Sequence, residues 1–219
     1  MCCEGFEKLF WKTKMPIITT GLVLIVANIL QLVGVVSPEW DMFDTPYFGS
    51  KMRLYQNLWT IHDEIEDATV REGLLPPFIN TEWKASVVGL EVSALVTGVL
   101  ALVLVISTNV MEVLSMRQIF LVTCYVLAVL LACSSAVTAV FGVQLYKMNY
   151  KSILSIEAFH SFNVPIEKYV LSWGSHVSYA SGGCYLLSAV LIIVNIIKSV
   201  STTANSFAVS PSTSGSEHA

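Results

Sequence analysis

The sequence predicts an α-helical membrane protein with four transmembrane spans, and three observations carry that expectation. The 219 residues are 54% hydrophobic and only 13% charged, about half the charged fraction of an ordinary soluble domain. Four runs contain no Asp, Glu, Lys or Arg: 15–38, 92–111, 118–146 and 169–197. Each reaches the roughly 20 residues that a helix needs to cross the hydrocarbon core. The runs are apolar all round rather than on one face, which suits helices whose outer side meets lipid.

The elements follow in order. Residues 1–14 form an amino-terminal segment, and spans are expected at about 15–38, 85–107, 118–146 and 169–197, within a four-span domain over 15–198. The first run is longer than a signal peptide's apolar region of about 7–15 residues and ends on Val36-Ser37-Pro38. Lys8, Lys12 and Lys14 precede it, which predicts a cytoplasmic amino end. An even number of spans then returns the carboxyl end to the cytoplasm. Two connections, 39–84 and 147–168, fall outside, and a short one, 108–117, falls inside. From Ser199 the chain is rich in Ser and Thr and poor in aromatic residues, so 199–219 is expected to be a disordered cytoplasmic tail.

Within the spans, Ala94 and Gly98, and Ala128, Ala132 and Ala136, recur at helical spacing, the pattern that lets helices approach closely in lipid. Asn28 and Gln31 share a face of the first span and are expected to bond to neighbouring helices. Glu91 is the one ionisable residue well inside a span. It lies seven residues beyond Lys84, near the outer boundary, where Lys84 or water would satisfy it, so its expected role is structural. Cys124, Cys133 and Cys184 fall inside spans and act as small apolar residues. Cys2 and Cys3 stand beside Phe6, Phe10 and Trp11, a context that suits S-palmitoylation as well as it suits two reduced thiols. No cysteine occurs in either outer connection, so no disulfide can staple the outer side.

Several features together resemble the claudin superfamily, which also holds the peripheral myelin and epithelial membrane proteins and the gamma subunits of voltage-gated calcium channels. Trp40 follows the first span, and Asn57-Leu58-Trp59 comes nineteen residues after it. Phe162-Asn163-Val164-Pro165 leads to Trp173, and the pair Gly182-Gly183 lies within the last span. The resemblance covers most of 15–198. It implies a left-handed four-helix bundle capped by a small extracellular antiparallel sheet, with Trp40, Asn57, Leu58 and Trp59 anchoring the sheet at the membrane boundary. Family members clip two strands of that sheet with a cysteine pair. Here His62 stands where the first cysteine is expected and no second one follows.

The residues suggest a replacement for that clip. Met52, Leu54 and Leu58 alternate with Arg53, Tyr55 and Asn57, which predicts a half-buried strand. After Trp59, Ile61, Ile65, Ala68 and Glu72 follow one helical face, and Gly73 is placed to end it. The expectation is a short amphipathic helix over 60–72. It would present Asp63, Glu64, Glu66 and Asp67 to solvent as an acidic interaction face.

Catalysis is not expected: His62 and Asp63 are adjacent, so on a helix they diverge. His62 and Glu66 share a helical face, but the spacing is not that of an EF-hand loop. No cofactor, metal or nucleic-acid site is indicated. The first outer connection carries nine acids against four bases, a net charge of −5, able to steer cationic partners. With the resemblance, three roles stay open. The chain is a cell–cell adhesion or junction component of the plasma membrane, an auxiliary subunit of a channel or receptor, or a lining of a paracellular cation pathway. Its partners are membrane lipids and other membrane proteins in the same or the opposing membrane, and adhesion is the favoured role.

Overall fold

The computed structural model describes residues 2–47, 50–65, 68–74, 82–113, 118–154 and 168–208. Four long helices dominate: α1 Cys2–Val36, α2 Glu82–Val113, α3 Gln118–Leu154 and α4 Trp173–Ala208. Their apolar portions, Ile17–Val36, Trp83–Met111, Ile119–Asn149 and Trp173–Lys198, are long and apolar enough to cross a membrane. At 1.5 Å per residue the shortest measures about 30 Å, the thickness of the hydrocarbon core. The chain is thus a multi-pass membrane protein, with four candidate spans among the described residues. In the bundle, α1 packs beside α2 and α4, and α3 completes the ring on the other side of both.

Lipid tails are as apolar as leucine, so hydrophobicity alone does not draw these helices together. Close approach of the backbones does. Ala27, Ala94, Ala101, Ala128, Ala132 and Ala139 are fully buried, while Leu22, Leu130, Phe141 and Ile197 point outward. A side chain at Gly98 would collide with the Tyr185 ring of α4, so α2 and α4 meet this closely only at glycine.

The expected tail is helical at its start. α4 continues without a break through Ala208, and 209–219 lie outside the described residues. A helix leaving a folded span has already met the cost of nucleation, so propensity too weak to start a helix still extends one. Ser201 assists by donating its hydroxyl to the Ile197 carbonyl at 2.8 Å. Likewise α1 begins at Cys2, so most of 1–14 belongs to the first helix.

A five-stranded antiparallel sheet sits on one end of the bundle, in the order β4-β3-β2-β1-β5. The first connection supplies β1 Asp41–Tyr47, β2 Ser50–Gln56, β3 Thr60–Ile65 and β4 Ala68–Leu74. The second supplies β5 Lys168–Leu171, which pairs with β1 over Asp41↔Leu171 to Asp44↔Lys168. The strand expected before Trp59 is β2. The helix expected over 60–72 is not formed: that segment is the hairpin β3–β4, with a register shift between Asp63 and Ile65. Ile61 and Ile65 are four apart, a spacing that satisfies a helical period and a strand period equally. Two forces decide for the strand. β-branched Thr60, Ile61, Ile65, Thr69 and Val70 favour pleated backbone, and an isolated helix of this length is marginal. Pairing with β2 also satisfies an edge that would otherwise stay open. Ladder hydrogen bonds from Met52↔Ile65 to Gln56↔Ile61 join β2 to β3.

Candidate functional site

The seam between sheet and bundle is organised by Trp40, which is fully buried. α1 ends at Val36, so its last carbonyls lack intrahelical donors. The Trp40 indole N–H donates to the Gly34 carbonyl at 2.7 Å, and the Trp59 indole N–H donates to the Val35 carbonyl at 3.0 Å. Two tryptophans nineteen residues apart therefore cap successive carbonyls of one helix end. The Trp40 backbone extends the tie: its N–H donates to Gln56 O at 2.7 Å, and its carbonyl accepts from Ser172 N at 2.9 Å. One residue thereby joins α1, β2 and the start of α4.

Around it lies an aromatic and polar cluster. Tyr146 packs against Trp40 with ring centroids 5.3 Å apart, and Trp83 meets Tyr146 edge-on at 5.6 Å. The Tyr146 hydroxyl donates to Asp41 Oδ2 at 2.6 Å. Leu58, Val87 and Val143 close the cluster with apolar surface. Asn57 is buried, and its side-chain oxygen accepts from Trp59 N at 2.7 Å. That turn is open to asparagine because its side chain mimics a backbone acceptor. On the other side, Gly174 N donates to Glu39 O at 3.0 Å. A side chain at Gly174 would run into the Ser37 hydroxyl and the Glu39 carbonyl, so this approach requires glycine.

The structure thus brings Trp40, Asn57, Leu58 and Trp59 into one place. Trp59 differs from Trp40, however, because its ring is 47% exposed. Trp173, the first residue of α4, is also half-exposed. Of the glycine pair, only Gly182 lies at a helix contact, where a Cβ would come within 2.8 Å of Val140 Cγ2; Gly183 faces open space. Sequence reasoning missed Asp41, Tyr146 and Gly174. A signal existed for the first two: an acid directly follows the boundary tryptophan, and a tyrosine closes the third uncharged run.

A second polar group lies within the bundle. Glu91 is fully buried, and among the described residues its hydrogen-bond donors are Gln31 and Ser178 rather than Lys84. Gln31 donates its amide N–H to Glu91 Oε2 at 2.6 Å and to Glu91 O at 3.1 Å, and the Ser178 hydroxyl donates to Oε2 as well. Helix periodicity placed Lys84 on the same face as Glu91, but seven residues are about 10 Å along a helix, beyond hydrogen-bond reach. The Ser181 hydroxyl bonds to Gln31 Oε1 and to the Ser178 carbonyl, the latter at 2.6 Å. One turn towards the sheet-distal end, the Tyr185 hydroxyl donates to Asn28 Oδ1 at 3.1 Å. Both Asn28 and Gln31 thus bond across helices, as their shared face suggested.

The helix that would have gathered the acidic face is not formed: Asp63 and Glu64 lie in β3, at its register shift. Register sets Glu64 opposite Arg53 and Asp63 opposite Arg71, the opposite-sign order that cross-strand pairing favours. Glu66 and Asp67 lie outside the described residues. Cys2 and Cys3 are within the first turn of α1; along the helix, Cys3 precedes Ile17 by about 21 Å.

A search of protein-family models finds none that matches this chain, and no curated protein matches it. The fold and the seam define its class: a multi-pass membrane protein whose described residues form four long helices with a five-stranded sheet at one end.

Proposed function

We propose that this chain is a claudin-like protein of cell–cell adhesion or junction organisation. It sits in the plasma membrane with both termini cytoplasmic and presents its outer sheet to membrane proteins of the adjoining cell. The observation that carries the reading is the seating of the sheet. Strands from both connections form one layer, and that layer is fixed to α1 and α4 through the backbone and indole of Trp40. A sheet held at several points keeps its shape when it is pulled by a contact, whereas a loop on a single tether would not. The net charge of −5 on the first connection adds a preference for a basic counterpart.

Mixing cells that carry the protein with cells that lack it tests this. The expected result is enrichment where two carrying cells touch, lost at borders with cells that lack it. Replacing Asp63, Glu64, Glu66 and Asp67 by Asn or Gln should change folding stability by about 0.5 kcal/mol per site or less, leave surface delivery largely intact and reduce contact enrichment. Uniform surface display together with co-purification of a channel would favour the auxiliary-subunit reading instead.

A further inference from the structure

Among the described residues, the acid inside the bundle has no positive hydrogen-bond partner. The groups donating to Glu91 are the neutral amide of Gln31 and the neutral hydroxyl of Ser178. Glu91 Oε1 is buried beside Gly142, where any Cβ would strike it, and it makes no hydrogen bond among the described residues. Lys84 stands seven residues away, and the charge acting on it is the Asp41 carboxylate. Lys84 and Asp41 therefore offset each other at the seam, which leaves the charge of Glu91 uncompensated in the helix core. An isolated carboxylate in such a place is costly.

The surroundings are rich in oxygen. Glu91 contributes two, Gln31 its Oε1, Ser178 its hydroxyl and carbonyl, and Ser181 its hydroxyl, all linked in one group. We propose that Gln31, Glu91, Ser178 and Ser181 form an intramembrane binding site for one small monovalent cation, with sodium the best match. Hard cations take oxygen ligands, and all six atoms are oxygens. A single carboxylate neutralises a single charge, whereas a divalent ion would leave a net buried cation. The ligands come from α1, α2 and α4, so a bound ion ties three helices. A proton on the Glu91 carboxyl would neutralise the acid too, and the test separates the two. This site is independent of the adhesion reading, and its test needs no cell contact.

The test uses the full chain in detergent micelles, unfolded by heat as sodium chloride replaces choline chloride at constant ionic strength. The midpoint should rise and saturate with sodium and respond less to potassium. Equilibrium binding of radioactive sodium should give about one ion per chain, with oxygen-only coordination as the physical basis. E91Q should remove the sodium response. S181A keeps the acid and should raise the half-saturating sodium concentration at least about tenfold, a loss of roughly 1.4 kcal/mol. Identical midpoints in the two salts together with no bound sodium overturn the proposal: a midpoint that follows pH alone then identifies a proton, and one that follows neither identifies a plain helix tie. An E91Q chain that keeps the wild-type response also overturns it. Should E91Q fail to fold, an unchanged half-saturation in S181A overturns it equally.

Discussion

The two halves of the bundle are held together by different means. In the sheet-distal half, Leu24, Ala27, Ala101, Val105, Ala128, Ala132 and Ile192 are buried against one another, with small residues at the contacts. In the sheet-proximal half, Trp40, Asp41, Tyr146, Gln31, Glu91 and Ser178 form aromatic packing and hydrogen bonds between elements. The difference follows from what each half must hold. The distal half joins helix to helix, where close backbone approach dominates, aided by the Asn195 amide donating to the Thr20 hydroxyl at 3.2 Å. The proximal half joins helices to a sheet whose weight falls on the ends of α1 and α4, where carbonyls and amides need partners. The distal half should therefore be sensitive to added volume, and the proximal half to lost bonds.

The largest effect is expected at Trp40. Trp40→Ala removes a fully buried ring, its stack on Tyr146 and the cap on Gly34. The cost should be about 3–5 kcal/mol, a large part of a typical folding stability. Surface delivery should collapse, and the thermal midpoint of any purified chain should fall. Normal delivery would mean that the seam draws its strength from elsewhere.

The distal half provides the opposite test. Ala128 is fully buried in the core, so Ala128→Leu adds volume where helices already touch. It should cost about 1–3 kcal/mol, read as a lower thermal midpoint with the sheet's protease resistance unchanged until the bundle itself unfolds. If Ala128→Leu is neutral, the distal half is looser than its small residues imply and the contrast between the halves weakens.

Much of this was legible in the sequence, for physical reasons that differ by region. The spans were readable because charge is excluded from lipid over about 20 residues, a signal that no local packing can disguise. Trp40, Asn57, Leu58 and Trp59 were readable through their order, and the structure places all four at the seam. The hairpin β3–β4 was not. Ile61 and Ile65 fit either period, and the deciding factor was the edge of β2, a partner outside the segment itself. Glu91 was found, but its partners were not, because Gln31 and Ser178 lie on other helices, 60 and 87 residues away. The surroundings of Tyr146 were hidden in the same way: its bond to Asp41 spans 105 residues. Contacts of that range leave no periodic trace along the chain.

The smallest effect distinguishes the two tryptophans. One follows the first span and one stands in the Leu-Trp pair, and the resemblance implied that both anchor the sheet at the membrane boundary. The structure separates them: Trp40 is fully buried, and Trp59 is 47% exposed while still donating to the Val35 carbonyl. Trp59→Phe keeps an aromatic ring at that position and removes the donor. The loss should therefore be that of one hydrogen bond, about 0.5–1.5 kcal/mol, with surface delivery largely retained. The lower end is the more plausible outcome, because water beside a half-exposed ring can replace the indole at the carbonyl. Trp40→Phe loses its donor at a site closed to water, which leaves the Gly34 carbonyl only the long 3.4 Å bond from Ser37 N, so the variant should be clearly less stable than Trp59→Phe. Thermal midpoints of the two Phe variants, measured side by side, read this difference directly. Equal losses would mean that Trp59 is covered in the membrane, its exposed face buried by lipid or by a second chain.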